Sequence, residues 1–468
     1  MRKETREYKF DWMLWNTFLA ASHMKNGTDK EYRSALKYIP YFNRILEAIF
    51  SPGEPGKKFL EACAKYAENI VFAKERGHKT AVTTFCFSPA IFYAMDIVPI
   101  CLEVLTVMMT FVYRRGTAEF LDYCNEVGFT ETSCSSQRGT VGAYLAGIGT
   151  DVDMFVTDTP GVCDTNANAF SFAAVYLNKP FFQLDMPPDL TDSRTNEYHR
   201  EDFRALIRFL EEQTGKKLDP ERLKENLLEL EKQDEIIAAL EDLARLVPCP
   251  LPVSYNFMIY ASRFFFAGTP ECTVVLESML KVARENATKN ISGLSGGVEK
   301  LRSFFCYIDH YAQNMQFWNM LDQNGICYQG NILSHFWSHN APHVAHYHKE
   351  EAAYKINTGN MDAIIDSMGM INSRMPMVKS IRGPYDAPNM WLEDTLGLAK
   401  IYNSDFIVYN GTPGCRNTWG MVKLLARDTE KAGFPTYIMY ADAFDARVQS
   451  WEATEERFME FLKVRRLV

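Results

Sequence analysis

Two stretches of the sequence decide the fold: DMFVTDTPGVC at 153–163 and DFIVYNGTPGC at 405–415. Each begins with an aspartate, continues through a short apolar run, and ends in a Pro-Gly turn followed by a cysteine. In both stretches the cysteine comes ten positions after the aspartate. A short apolar run bounded by turn residues is typical of a buried strand. The repetition predicts two similar α/β halves.

The sequence around these stretches predicts parallel sheets. A helix-length segment, ANAFSFAAVYLNK (167–179), follows the first stretch and leads to a second apolar run, PFFQLDM (180–186). The second stretch likewise leads through a helix-length segment to PTYIMYAD (435–442). Strand, helix and strand at this spacing indicate a βαβ unit. A weaker echo relates TTFCFSP to RSFFCYID and pairs Cys86 with Cys306.

Four regions are predicted along the chain. Residues 1–78 read as an N-terminal helical region, and 79–190 as the first α/β domain. Residues 191–295 read as a helical insertion, in which Asp219-Pro220 has the pattern of a helix start. Residues 296–468 form the second α/β domain with a C-terminal helix. The predicted fold class is therefore α/β, with two related Rossmann-like parallel-sheet domains flanking a candidate site.

Composition narrows the class of protein. The chain has 468 residues, 47% hydrophobic and 23% charged, with a formal net charge of −9, which argues against nucleic acid or an anionic membrane as the main partner. The most apolar segment, Ile91–Tyr113, contains Asp96 and Glu103, and each acid would cost roughly 3 kcal/mol at a bilayer centre. The charged start, MRKETREYKF, predicts no secretory signal. A cytoplasmic protein without a membrane segment is expected.

The 11 cysteines divide into two groups. Five lie in apolar or helical contexts and are interpreted as buried thiols: Cys63, Cys101, Cys124, Cys249 and Cys272. Among the others, Cys163 and Cys415 follow predicted strands, where open α/β sheets collect ligands. Cys134 stands at a predicted helix start, where the helix dipole favours thiolate. Three thiolates meeting in one crevice would suit an iron–sulfur cubane, but the absence of any CxxC leaves three unrelated thiols as the alternative.

Two further groups of side chains are candidates for chemistry. Five histidines crowd the segment 335–348, beginning with His335, and could bind a metal, donate protons in a substrate pocket, or form an exposed polar loop. Asp164 directly follows Cys163 and either caps the next helix or relays a proton near the site. No G-x-x-x-x-G-K-[ST] or G-x-G-x-x-G motif occurs, so neither ATP hydrolysis nor a nicotinamide domain is predicted.

Several segments resemble the 2-hydroxyacyl-CoA dehydratase and benzoyl-CoA reductase family. They occur in that family's order over roughly residues 79–465: SCSSQRGTVGAYLAG (133–147), DMFVTDTPGVCDTNANAF (153–170), TGKKLDPERLKE (214–225) and the segment from GTPGCRNTWG (411–420) onward. The resemblance implies a subunit that holds a [4Fe-4S] cluster through three cysteines, which match Cys134, Cys163 and Cys415 here. It also implies a homologous sister subunit or a homodimer, and an ATP-hydrolysing activator protein as electron donor.

The implied reaction is one-electron reduction of a CoA thioester to a ketyl radical. In the dehydratase branch a 2-hydroxyacyl-CoA becomes an enoyl-CoA, and in the alternative branch an aryl-CoA ring is reduced. A double-cubane electron-transfer protein is a further alternative, because Cys86, Cys306 and Cys327 exceed the three-cysteine pattern. The family's Cys-x-x-x-Pro-Glu-Glu-like segment reads Cys86-Phe-Ser-Pro-Ala-Ile here, without its carboxylates. Cys86 is therefore either an extra metal ligand or a bystander.

Overall fold

Two four-stranded parallel sheets with the same pattern of strand order form the centre of the chain. The computed structural model describes residues 10–23, 53–85, 87–113, 116–158, 163–185, 193–307, 309–332, 356–373 and 390–468. Before the first sheet the described residues form α1 (Phe10–Ser22) and α2 (Glu54–Val71), which pack against each other. The predicted α/β class with two parallel-sheet units is confirmed.

The first sheet has the order β2-β1-β3-β4. Its strands are β1 (Lys79–Thr83), β2 (Ile97–Cys101), β3 (Met154–Thr157) and β4 (Phe181–Gln183). The helices of this half are α3 (Ala90–Ala94), α4 (Leu102–Val112), α5 (Ala118–Glu126), α6 (Ser135–Leu145) and α7 (Asp164–Tyr176). Every residue of β2 and β3 is buried, as expected for parallel strands that are covered on both faces.

Four helices lie between the sheets along the chain: α8 (Ser193–Thr214), α9 (Pro220–Ala244), α10 (Tyr255–Phe266) and α11 (Pro270–Lys289). Asp219 caps α9 as predicted, because its carboxylate accepts hydrogen bonds from the backbone N–H groups of Glu221 (3.0 Å) and Arg222 (3.4 Å).

The second sheet has the order β6-β5-β7-β8. Its strands are β5 (Leu301–Phe305), β6 (Ile326–Asn331), β7 (Phe406–Tyr409) and β8 (Thr436–Ile438). The helices of this half are α12 (Asn314–Gln323), α13 (Met361–Ser373), α14 (Met390–Ile401), α15 (Arg416–Lys431) and α16 (Trp451–Val464). The last of these is the predicted C-terminal helix.

The repeated aspartate has the same role in both halves. The Asp153 carboxylate accepts a hydrogen bond from the backbone N–H of Thr80 at 2.9 Å, on the strand next to β3. The Asp405 carboxylate accepts one from the backbone N–H of Arg302 at 2.8 Å, on the strand next to β7. Each aspartate therefore ties the inner strand that leads to a cysteine onto the neighbouring inner strand.

The weaker echo, by contrast, is wrong in its register. Because Thr80 and Arg302 hold equivalent places, Cys306, four residues after Arg302, is equivalent to Thr84 rather than to Cys86. Cys306 also lies just past β5 rather than within it.

The apolar segment Ile91–Tyr113 is buried α/β structure, as predicted. It contains β2 and α4, in which every residue except Thr110 is buried. Within the part of the chain that the structure describes, no helix is long and apolar enough to cross a membrane.

A buried arginine connects the helical insertion to the second sheet. Arg302 on β5 forms a 2.6 Å ion pair with Glu299 and donates to the backbone carbonyls of Ala244 at 3.1 Å and Tyr402 at 2.9 Å. Both charged side chains are almost fully buried, at 7% and 6% exposed. Removing one charge of such a pair leaves the other without compensation.

We therefore predict that Arg302→Met lowers the free energy of unfolding by about 3–5 kcal/mol, measured by urea unfolding. The control is Arg427→Met, because Arg427 pairs with Asp428 on an exposed helix face. The control is expected to leave stability close to that of the unchanged protein, because exposed ion pairs contribute little. Equal losses in the two variants would contradict the role given to Arg302.

Candidate functional site

Three of the predicted site residues are cysteines that begin helices. Cys134 is the N-cap of α6, Cys163 the N-cap of α7 and Cys415 the N-cap of α15. Cys163 and Cys415 follow β3 and β7, which are inner strands of their sheets. The N-terminus of a helix carries a partial positive charge, which favours an anion such as a thiolate. The predicted helix start at Cys134 is confirmed.

The turn that carries Cys415 lies directly against the turn that carries Cys134. A Cβ placed on Gly414 would stand 2.7 Å from the carbonyl oxygen of Ser133 and 2.8 Å from the Cα of Cys134. Real Cβ atoms do not approach backbone atoms this closely. Glycine at 414 therefore allows the two cysteine turns, one from each half of the chain, to touch.

Asp442 links the same two turns by hydrogen bonds. Its Oδ1 accepts a hydrogen bond from the Ser135 hydroxyl, and its Oδ2 accepts one from the Thr412 hydroxyl at 2.7 Å. Ser135 directly follows Cys134, and Thr412 lies in the turn before Cys415. The carboxylate is buried, so a change in either half would leave it without a full set of donors.

Glu103 joins the helix that begins at Cys163 to the helix that begins at Cys134, because its Oε1 accepts hydrogen bonds from the side chains of Asn166 at 2.6 Å and Gln137 at 3.5 Å. Burial raises the pKa of Cys134, and the nearby thiols of Cys415 and Cys163 raise it further. Burial and the thiol of Cys415 raise the pKa of Cys163 to about 12. All three cysteines are nevertheless partly exposed. The structure thus brings together the three cysteines that sequence analysis selected, from three separate segments.

The group does not have the geometry of a site for one metal ion. Over the residues that the structure describes, no three His, Cys, Asp or Glu side chains are placed to hold a single ion. A single zinc ion requires sulfur atoms about 2.3 Å from the metal.

Tyr307 is a site residue that sequence analysis missed. Its hydroxyl lies 3.8 Å from the sulfur of Cys415, and the ring is buried. Burial and then the charges of Cys415 and Cys134 raise its pKa, so the hydroxyl keeps its proton. Tyr307 follows β5, and the carboxyl ends of inner strands are where such residues are expected.

His310 stabilises the turn that carries Cys415. The backbone carbonyl of Gly411 can only accept, so Nε2–H of His310 is the donor across the 3.0 Å between them. The ring is buried, and burial lowers its pKa. His310 is therefore a neutral side chain that holds the turn rather than one that faces solvent.

Glu103 is a buried acid close to the cysteines. It is 3% exposed, and its carboxylate accepts hydrogen bonds from the Asn166 side chain at 2.6 Å and the backbone N–H of Phe85 at 3.2 Å. Burial raises its pKa. Asn166 lies in the first turn of α7, which begins at Cys163. From the sequence, Glu103 argues only against a membrane segment. Its hydrogen-bond partners are distant in sequence and come together only in the folded chain.

The other predicted site residues have different positions. Asp164 is the exposed first residue of α7, one position after the N-cap Cys163, and its carboxylate accepts a hydrogen bond from the backbone N–H of Thr165 at 2.9 Å. Cys86 and His335, with the other histidines of 335–348, lie outside the described residues.

The other cysteines that the structure describes are buried. Cys306 is buried with its sulfur 3.1 Å from the Thr395 hydroxyl. Cys327 lies inside β6, and its thiol contacts that of Cys249. The five cysteines that were interpreted as buried thiols are all buried.

Comparison with known proteins agrees with the resemblance that the sequence motifs suggest. The family model of the 2-hydroxyglutaryl-CoA dehydratase D-component matches residues 84–464. The matched part includes all three capping cysteines and every strand of the two sheets except β1. No curated protein is similar enough to match the chain. The chain belongs to the 2-hydroxyglutaryl-CoA dehydratase D-component family.

Proposed function

We propose that this chain is the cluster-bearing subunit of a 2-hydroxyacyl-CoA dehydratase, in which Cys134, Cys163 and Cys415 hold a [4Fe-4S] cluster. The observation that carries the proposal is that three helices begin at cysteines, with the Cys134 and Cys415 turns in contact and the Cys163 helix joined to the Cys134 helix through Glu103. The family supports a dehydratase-type component. A homologous sister subunit and an ATP-hydrolysing activator protein are the proposed partners.

The donor set suits such a cluster. Iron–sulfur ligation needs deprotonated thiols, and the positive helix ends together with backbone N–H groups stabilise them. Three protein ligands for four irons leave one iron open for substrate. When bound, the cluster supplies low-potential electrons and a Lewis-acidic iron to the thioester.

The protein side chains around the cysteines control protons and water. Tyr307 holds its proton on the hydroxyl oxygen beside Cys415 and can donate a hydrogen bond to that sulfur. Burial favours the protonated carboxyl of Glu103. Phe85, which hydrogen-bonds Glu103 through its backbone, adds a buried aromatic ring. Such surroundings keep bulk water away from a radical intermediate.

One prediction of the proposed function concerns iron content. Cys134→Ser, Cys163→Ser and Cys415→Ser are each expected to lose most of the roughly four irons per chain that one cubane requires, because serine replaces a thiolate ligand. The measurement is iron and sulfide quantification after anaerobic purification. The control is Cys306→Ser, because the buried sulfur of Cys306 lies against the Thr395 hydroxyl. The control variant is expected to keep the iron content of the wild-type protein.

Full iron in any one of the three variants would remove that residue from the ligand set. Equal loss in the Cys306→Ser control would mean that iron content reports folding rather than ligation.

Another prediction of the proposed function concerns Asp442. Asp442→Asn is expected to lower stability by about 1–3 kcal/mol, because it replaces a charged acceptor that two hydroxyls need, and to reduce iron content. Asp445→Asn in the same segment is the control, since Asp445 pairs with the exposed Arg447. Urea unfolding and iron quantification are the two measurements. An Asp442→Asn protein that matches the control in both would show that the turns do not depend on this carboxylate.

A further inference from the structure

An apolar cavity lies next to the cysteine site, among α1, α2, α4 and α10. Its volume is about 40 Å³. Aromatic and aliphatic side chains form most of its wall, among them Phe59, Phe85, Met108, Phe257 and Phe264. The polar part of the wall includes Glu103 and Ser136.

The polar side of the cavity adjoins the cysteines. Ser136 is two residues after Cys134, in the first turn of α6. Glu103 hydrogen-bonds Asn166 in the first turn of the helix that begins at Cys163. A group seated in the cavity would therefore have its polar end close to the three sulfurs.

The hydroxyl of Ser136 points to a ligand. Ser136 is 4% exposed, and its Oγ has no hydrogen-bond partner in the part of the chain that the structure describes. A buried hydroxyl without a partner costs free energy, so native structures rarely retain one. An oxygen atom of a bound molecule would satisfy it.

The size of the cavity favours a short aliphatic chain. A cavity of about 150 Å³ is large enough to bind benzene, and this one is about 40 Å³. An aromatic ring would therefore require its wall to move. A short aliphatic chain would fit with less movement of the wall.

The charge of the cavity favours an uncharged chain. Among the described residues of its wall there is no Lys, Arg or His, and the one ionisable acid is Glu103. A carboxylate at the end of an acyl chain, as in a glutaryl group, would lose its water and gain no cation to pair with. It would also face the Glu103 carboxyl.

From these observations we infer that the cavity is the acyl pocket, and that it takes a short, uncharged aliphatic acyl group whose oxygen hydrogen-bonds Ser136. The inference rests on the proposed function and narrows its substrate class, away from dicarboxylic and aromatic thioesters. It also gives the N-terminal helices a role, because Phe18 on α1 and Phe59 on α2 belong to the pocket wall.

The test uses CoA thioesters that lack the 2-hydroxyl group and so cannot react. Calorimetry on the anaerobically purified full chain compares butanoyl-, glutaryl- and benzoyl-CoA. Butanoyl-CoA is expected to bind at least about tenfold more tightly than either of the others. Ser136→Ala is expected to weaken butanoyl-CoA binding by about fivefold or more, through loss of one hydrogen bond.

Two neighbouring methionines provide a matched pair for chain length. Met108 and Met109 lie side by side on α4 and are 2% and 0% exposed, but only Met108 lines the cavity. Met108→Ala enlarges the pocket and is expected to raise the preference for hexanoyl- over butanoyl-CoA by about tenfold. Met109→Ala removes the same atoms outside the pocket and is expected to leave the preference unchanged.

Tighter binding of glutaryl- or benzoyl-CoA by the wild-type protein would overturn the inference, as would equal shifts in Met108→Ala and Met109→Ala. Iron is measured on the same samples, so failure of the pocket is distinguishable from failure of the cluster. Intact iron with no chain selectivity would refute the pocket alone, whereas chain-selective binding by a protein without iron would refute the cluster alone.

Discussion

The hydrogen bonds of the Asp442 carboxylate connect two turns that belong to different halves of the molecule. One turn begins α6 at Cys134 and the other begins α15 at Cys415. Gly414 permits the backbones of these turns to come into contact, and a side chain there would push them apart. The relative position of the sulfurs therefore depends on how the two halves pack, and not on any local sequence motif.

The site places three thiols together in a buried position, where thiolates would repel one another. Burial and this repulsion raise the pKa of Cys134, while the helix N-termini that begin at the three cysteines favour the thiolate form. Burial raises the pKa of the Glu103 carboxyl and of the Tyr307 hydroxyl beside them. The adjoining apolar cavity excludes water, which strengthens every electrostatic interaction at its polar end.

The cysteine site was predictable from sequence because α/β topology places the ends of inner strands together. The ten-residue spacing from Asp153 to Cys163 and from Asp405 to Cys415 is enough to find two strand ends. Glu103 and Tyr307 were not predictable, since their roles come from contacts between residues far apart in the chain. The pairing of Cys86 with Cys306 was wrong, because similar sequences around two cysteines do not determine the hydrogen-bond register of the neighbouring strands.

The most direct test of the central claim is the position of iron. Crystals of the anaerobically purified protein, measured at the iron absorption edge, would give anomalous peaks at the iron atoms. We expect one compact group of iron peaks bounded by the sulfurs of Cys134, Cys163 and Cys415. Iron bound elsewhere in the molecule, or these three sulfurs turned toward separate apolar interiors, would contradict it.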